Sequence, residues 1–562
     1  MTSGARRRVA MHRVLAIALA TATLVAPAAA APPTRAAHAA PTKLRKPSPL
    51  GAYAHVSIGA GGEFAPAGKA LTPEATTAQA IEKLLHGPLR NGRTGLLVAD
   101  AVTGEPLFAV DADEPLNPAS NVKMISMATA LELLGPEFTY PTRVLGATPR
   151  AGVVRGDVYL LGSYDPTLSA ADLDQLAASV AARGITQIDG AVVLGGDATR
   201  DGLYRATLPI AVTAGAPGSP PLAVAPPGFD FVTVASKART AGRVALPRLA
   251  AIAVSSGTPA APKLLVTITG YIGKGGTTTV SVGVKDRAVL TAYTLAAALR
   301  AHGVTVASGF RIEELGDFVG DAIAKGGGVP VELGRHDSKP LGAIITSVDK
   351  WSINWLADRV IVTAAALARR QPPSMPLAVD AMYDWLGRHA HLAKTDVLVD
   401  SGSGLSYHTR ISARELVGVV RAASGYGDPS LANTPAAHAW LDSLSIAGID
   451  GTLAHRFRTS EVRGHMHGKT GTLSTVIALS GIVDLDPKRP LAFALVTNSA
   501  TPLSKGYVRR AHELLIGVIC QYLATTRQID ATVSTPVVEP AAKGGVVPED
   551  LEDENLEGVS LP

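Results

Sequence analysis

Pro118-Ala119-Ser120-Asn121-Val122-Lys123 decides the reading of this chain, together with two strings far downstream, Ser352-Ile353-Asn354 and Gly468-Lys469-Thr470-Gly471-Thr472-Leu473. Residues 121–134 are a run of good helix formers closed by Gly135-Pro136, so Ser120 falls at a helix N-terminus. Ser120 and Lys123 stand three apart and are neighbours on one helix face. A serine hydroxyl is a weak nucleophile and needs a base within hydrogen-bond reach. A lysine acts as that base only when neutral, a form that burial and nearby positive charge both favour. Lys469 offers such a charge, while Ser352 and Asn354 add a second hydroxyl and an amide. The positive end of the helix beneath Ser120 suits an oxyanion developing there. In this order the strings form a working set for serine acyl transfer.

Each string alone has a plainer reading. A Ser-x-x-Lys string arises by chance about once or twice in a chain of this length. The chain holds a second match, Ser347-Val348-Asp349-Lys350, inside a helical stretch at 344–368 and expected to face elsewhere. Ser120 alone reads equally well as a helix cap. Ser352 and Asn354 alone read as surface polar residues, and Lys469-Thr470-Gly471 as a turn. Their joint occurrence, in order and in helix, helix and strand contexts, favours catalysis.

The 562 residues suffice for two or three domains, and aromatics make up only 4 % of them, so the core leans on aliphatic packing. The net charge is +5, with no basic stripe interleaved with aromatics, so nucleic acid is not an expected partner. Arg6, Arg7, Arg8 and Arg13 precede a short apolar run at 14–25 and small-residue sites at Ala30 and Ala39, the pattern of an export signal. A retained signal anchor is the alternative. No later stretch is apolar enough to span a bilayer. The expectation is an exported protein, periplasmic, extracellular or wall-associated, with at most a loose hold on the membrane. Cys520 is the only cysteine and sits in an apolar helical stretch, so it reads as core. His465 and His467 share one strand face that can hold a metal, but a solvated face is the simpler reading. No cofactor and no metal is expected.

Residues 94–111 read as two strands around Thr103-Gly104, and 477–485 and 491–498 as a hairpin. Helices are expected over 76–85, 382–389, 413–423 and 508–523. Strands at both ends with helices between them indicate an α+β fold, a split antiparallel sheet with helices packed on it. From 144 to 328 short β-rich runs alternate with Gly and Pro clusters, and this reads as inserted, mostly β material. The division is a signal peptide at 1–40, a linker at 41–74, catalytic parts at 75–143 and 329–528, and an acidic disordered tail at 529–562. Within the insertion, 144–203 and 285–328 form one domain and 204–284 another.

With these residues on the page, the chain resembles the class C low-molecular-mass penicillin-binding proteins, the D-alanyl-D-alanine carboxypeptidase/endopeptidases. The resemblance also covers Leu131-Glu132-Leu133-Leu134-Gly135, Asp165-Pro166-Thr167-Leu168, Ser401-Gly402-Ser403-Gly404-Leu405-Ser406 and Ala447-Gly448-Ile449-Asp450-Gly451-Thr452-Leu453. It implies a penicillin-binding/β-lactamase-like transpeptidase domain with two nested inserted domains. It implies peptidoglycan stem peptides as substrates and β-lactam antibiotics as inhibitors. Ser120 would carry the acyl group, activated by Lys123, and Ser352 would relay a proton to the leaving D-alanine. Asn354 would hold the substrate amide, and Lys469 would orient Ser352 and attract the terminal carboxylate. Thr470 or Thr472 would bond that carboxylate on the strand opened by Gly471. The N–H groups of Ser120 and Thr472 would form the oxyanion hole, and Asp197 would reach the substrate side chain.

Three positions depart from the family pattern. Ile353 stands where Asp or Asn is common, Ser401 replaces the usual Asp before Gly-Ser-Gly-Leu-Ser, and Tyr407 stands where many members carry an Arg toward a diaminopimelate-type stem. A serine β-lactamase and a wall-binding scaffold without turnover are the competing readings. The insertion argues against the first and the complete set of polar side chains against the second.

Overall fold

The computed structural model describes residues 56–57, 73–195, 206–258, 261–313, 323–326 and 328–526. The expected signal segment, most of the linker, Asp197 and the acidic tail lie outside the described residues. Helix α1 (Pro73–His86) leads into strands β1 (Arg93–Asp100) and β2 (Pro106–Val110), which pair antiparallel. A 3-10 turn, Ala119–Asn121, then runs into helix α2 (Val122–Leu134), which ends at Gly135 with φ +81°. After the insertion come helices α3 (Leu341–Trp351), α4 (Asn354–Arg369), α5 (Met375–Trp385), α6 (Ala413–Ala423) and α7 (Pro435–Ser443). Strands β3 (Met466–Leu473), β4 (Val476–Val483) and β5 (Leu491–Asn498) follow, and helix α8 (Lys505–Thr526) closes the described chain.

One seven-stranded sheet organises these elements, in the order Val56–Ser57, β2, β1, β5, β4, β3, Ser445–Ile446. Arg93 pairs with Asn498 and Asp100 with Leu491, so the sheet closes across almost the whole chain. Side chains alternate across a strand, and here they sort by size as well. Ala492, Ala494, Val496, Ala478 and Ala99 enter the core shared with α2, α4 and α6. Their neighbours Leu491, Phe493, Leu495, Leu479 and Val98 enter the core shared with α8. The small face lets α2 lie close to the sheet, and α2 is buried nearly all round, as expected for a helix apolar on every side. Cys520 is buried in the α8 core, which pushes its thiol up to about 12. It is a core residue.

The insertion builds its own core. A five-stranded sheet runs in the order Phe310–Glu313, Val192–Gly195, Val158–Leu161, Pro141–Ala147, Pro330–Asp337. Helices Ala170–Ala181 and Arg287–Ala301 pack together beside it. Strands Thr207–Thr213, Arg248–Thr258, Ala261–Ile272 and Thr277–Gly283 lie in two smaller sheets. Pro141 and Asp337 are register partners, so this sheet takes in residues on both sides of the expected 144–328 span.

The largest local correction concerns the stretch at 344–368, expected as one helix. It is two helices, broken where Ser352 adopts a left-handed φ of +54° and ψ of +40°. Helix α5 starts seven residues before the expected 382, where the Ser374 side chain accepts from the Leu377 N–H and Pro376 fits the first turn. Helix α6 spans the expected residues and carries a capping box between Ser412 and Glu415.

Candidate active site

The decisive serine sits on a strained turn. Ala119 has φ +47°, a region a residue with a Cβ rarely occupies. Two glycines make room for it. A Cβ on Gly404 would lie 2.1 Å from the Ala119 carbonyl oxygen, and one on Gly471 would lie 2.5 Å from that of Pro118. Gly404 itself has φ +78°. The turn is tied on both flanks by hydrogen bonds. Asn117 N donates to Asn498 Oδ1 at 2.8 Å, Asn498 Nδ2 donates back to Asn117 O at 2.9 Å, and Ala119 N donates to Asn117 Oδ1 at 2.8 Å. Asn121 Nδ2 reaches Ser480 Oγ at 3.1 Å.

Lys123 is fully buried, and its Nζ lies 2.9 Å from Ser120 Oγ, 2.6 Å from Asn354 Oδ1 and 2.8 Å from the Ser403 carbonyl oxygen. The last two oxygens only accept. A neutral amine in this place gives its two N–H groups to them and turns its lone pair toward the Ser120 hydroxyl. That is the arrangement in which a lysine takes a proton from a serine. The amide of Asn354, with its oxygen on Lys123, leaves Nδ2 to donate elsewhere.

Lys469 is equally buried and its Nζ donates to Ser352 Oγ at 2.8 Å and to the Thr470 carbonyl at 3.0 Å. The left-handed turn at Ser352 brings both Ser352 and Asn354 to the site, each bonded to a different lysine. Thr470 Oγ1 donates to Thr452 Oγ1 at 2.9 Å. Strand β3 carries Lys469, Thr470, Gly471 and Thr472 past the Ser120 turn, and Gly471 is where the two backbones meet. Tyr407 is 45 % exposed and its hydroxyl bonds Ser474 Oγ at 2.9 Å.

The second Ser-x-x-Lys match serves structure. Ser347 Oγ donates to its own helix at Ala343 O, and Lys350 pairs with Asp450 at 2.6 Å and caps the Leu444 carbonyl. The metal alternative at His465 and His467 gains nothing, since no cluster of three or more metal-ligating side chains occurs among the described residues.

Four contributors escaped the sequence reading. Ser403 lies in the string that carries the family resemblance, but what it supplies is a backbone oxygen, a role its side chain does not announce. Asp358 holds Ser403 through its N–H and its hydroxyl, at 2.8 Å each. Burial raises the Asp358 carboxyl above its usual range, against the pull of the Ser403 hydroxyl and the Lys123 charge. Its signal was legible, because Asp358 follows Asn354 by one helical turn on the same face. Asp349, fully buried, takes a hydrogen bond from Ser443 Oγ at 2.8 Å while its Oδ1 has no partner among the described residues. Burial pushes it up to about 6, opposed most by the charge of Lys469. Arg509, on α8, donates to Thr472 Oγ1 at 3.1 Å and brings a guanidinium to the strand expected to meet a carboxylate.

This geometry has known counterparts. The family model of the D-Ala-D-Ala carboxypeptidase 3 (S13) family matches residues 77–513. The chain belongs to that family. It is a serine hydrolase of the carboxypeptidase class, so the β-lactamase and scaffold readings fall away. A D-alanyl-D-alanine carboxypeptidase of Actinomadura sp. (strain R39) is 29 % identical, over 74 % of this chain and 80 % of that protein. A carboxypeptidase of Mycobacterium tuberculosis is 28 % identical, over 77 % of this chain and 82 % of its own length. In fold, the chain is similar to penicillin binding protein 4 of Haemophilus influenzae, solved with a β-lactam, at a TM-score of 0.59 and 20 % identity, covering 78 % of this chain and 99 % of that one. The family's fold is the penicillin-binding/β-lactamase-like arrangement of sheet and helices expected from the sequence.

Proposed function

We propose that the chain removes or cleaves at D-alanine in peptidoglycan stem peptides and cross-links, through an acyl-enzyme on Ser120 that β-lactams also form. The observation that carries this reading is Lys123, shared between the Ser120 hydroxyl and two oxygens that only accept. In the first step Lys123 takes the Ser120 proton as Oγ bonds the carbonyl carbon of the penultimate D-alanine. The oxyanion rests on the N–H groups of Ser120 and Thr472. Ser352 gives its proton to the leaving amine as the C–N bond breaks, and takes a replacement from Lys469 across their 2.8 Å bond. Water then attacks the ester, its proton returns through Ser352 to Lys469, and Ser120 leaves with the proton held by Lys123. Asn354 Nδ2 binds the substrate amide. Lys469, Thr470, Thr472 and Arg509 form the pole for the terminal carboxylate.

The same reading gives the chain an export signal, a wall-facing location outside the cytoplasm, at most a loose hold on the wall or membrane, and a division into a catalytic domain with two nested domains. Asp197 and Tyr407 belong in it to recognition of the substrate side chain. The supports are the basic-then-apolar N-terminus, the separate core of the insertion and the family's activity. The deciding experiment treats purified protein with a labelled penicillin, maps the adduct, and digests purified peptidoglycan for mass spectrometry. The expected result is label on Ser120 and loss of terminal D-alanine or of cross-links. Label elsewhere, or no turnover of any stem peptide, refutes the proposal.

A further inference from the structure

Residues 206–284, the inner part of the insertion, carry a charge that the rest of the chain does not. They hold six Lys and Arg and one acid, Asp230. The whole chain holds 52 basic and 47 acidic residues, so outside this stretch the two signs are equal in number. The cations gather at one end of a sheet. Tyr271 is the register partner of Arg239 on one side and of Arg248 on the other. The loop between those two arginines is Ala241-Gly242-Arg243-Val244-Ala245-Leu246-Pro247. Lys274 stands in the turn beside it, where its N–H donates to the Arg243 carbonyl at 3.0 Å. Arg239, Arg243, Arg248 and Lys274 are all exposed. Asp230 lies beyond the far end of the same ladder, where Val232 pairs with Leu264. At about 3.3 Å per residue it is roughly 30 Å from Arg239, several screening lengths away, and does not offset the cations.

The same end exposes apolar surface. Val244 is 88 % and Leu246 87 % exposed. Their loop is held by its backbone. Ala241 N donates to the Ile272 carbonyl at 2.8 Å, and a Cβ on Gly273 would lie 2.4 Å from Ala245 N. The two side chains therefore stand in water on a fixed support. Outward positions of the paired strands continue the surface with Ile252, Val254 and Leu265, all exposed, and Val254 and Leu265 are register partners. We propose that this end of the insertion docks on an anionic lipid surface. Val244 and Leu246 enter the boundary between headgroups and acyl chains, and Arg239, Arg243, Arg248 and Lys274 meet lipid phosphates. A soluble polyanion satisfies the cations but leaves both apolar side chains in water, whereas a bilayer interface takes both. Tyr271, between two arginines, has the apolar ring and polar tip that suit the headgroup level. No helix among the described residues is long and apolar enough to cross a membrane, so the hold is peripheral. The inference rests on the proposed export only for which membrane is met, and it does not involve Ser120.

The test titrates full-length protein with vesicles of phosphatidylcholine alone and of an equimolar mixture with phosphatidylglycerol. Leu246→Cys carries a polarity-sensitive dye, and the buried Cys520 takes no label. The dye emission should shift to the blue with the mixed vesicles only, and raised salt should weaken the response. Co-sedimentation should fall about tenfold or more in Arg243→Glu with Arg248→Glu, and about tenfold in Val244→Ser with Leu246→Ser. Lys263→Glu, a charge reversal at the far end of the ladder, should change binding by less than about threefold. All variants should keep the wild-type Tm. A dye that stays in water with both vesicle types overturns the proposal. So does binding that the serine pair leaves unchanged and soluble polyphosphate abolishes, which marks a polyanion site. A wild-type dimer that Leu246→Ser splits, with no vesicle binding, makes the patch a contact between copies and overturns it too. Failure of a β-lactam to label Ser120 refutes the acyl-enzyme reading and leaves this one standing.

Discussion

Gly404→Ala places a methyl group 2.1 Å from the Ala119 carbonyl oxygen. An ordinary carbon–oxygen approach is about 3.3 Å, so the loop or the nucleophile's turn must move by about 1 Å. The φ of +78° at Gly404 adds about 1–2 kcal/mol of backbone strain for a residue with a Cβ. Ser403, next in the chain, carries the carbonyl bonded by Lys123, so the base and the serine separate together. Misplacement of reacting groups by about 1 Å costs on the order of a hundredfold in rate. Acylation by a chromogenic β-lactam, followed by stopped flow well below the unfolding temperature, should slow by roughly that factor. Gly418→Ala is the matched control, because Gly418 lies within α6 and a Cβ there meets nothing within 4 Å. It should acylate at the wild-type rate and gain up to about 1 kcal/mol in stability. Acylation of Gly404→Ala within threefold of wild type, with thermal stability preserved, would refute the argument that this glycine sets the Ser120 geometry.

Penicillin labelling should vanish in Ser120→Ala and persist in Ser347→Ala, read by peptide mapping; label surviving in Ser120→Ala breaks the nucleophile assignment. Lys123→Ala should cut acylation about a hundredfold or more, whereas Lys469→Arg keeps its charge and should retain part of the carboxylate attraction; a near-normal acylation rate in Lys123→Ala means another base. Asp349→Asn tests a pH dependence. The native carboxyl titrates near 6 and the unfolded one near 3.9, so the native state binds more protons between those values and stability falls as pH rises through that window, by about 3 kcal/mol in all. The variant should lose that fall and be more stable than wild type at pH 7.5 by about 2 kcal/mol, after about 1 kcal/mol for the weaker bond to Ser443. Urea midpoints across pH 4 to 7.5 measure it, and a constant difference across that range contradicts it. Tyr407→Arg should raise kcat/KM for stem peptides whose third residue bears a free carboxylate relative to their amides; no gain, with wild type already preferring the acid, removes Tyr407 from specificity.

Much of the site was legible in the residues themselves. Ser120 and Lys123 share a face because they are three apart where a 3-10 turn runs into a helix, and that spacing is legible in the sequence. The runs at Val476–Val483 and Leu491–Asn498 are mostly apolar and mark a buried hairpin before any fold is known, beside the polar strand Met466–Leu473 that carries the site. Tertiary structure decided the rest. A carbonyl oxygen such as that of Ser403 belongs to every residue alike, so only the folded loop makes it the acceptor for Lys123. The break at Ser352 comes from a left-handed turn that local helix propensity does not foresee, because the contact with Lys469 that rewards it arrives from 117 residues downstream. Arg509 looks like a surface cation on a terminal helix until the sheet brings Thr472 within 3.1 Å. The local period of the chain determined which side chains share a face. Which faces then meet, and which backbone atoms complete the site, was left to the packing of helices on a sheet whose two halves lie at opposite ends of the sequence.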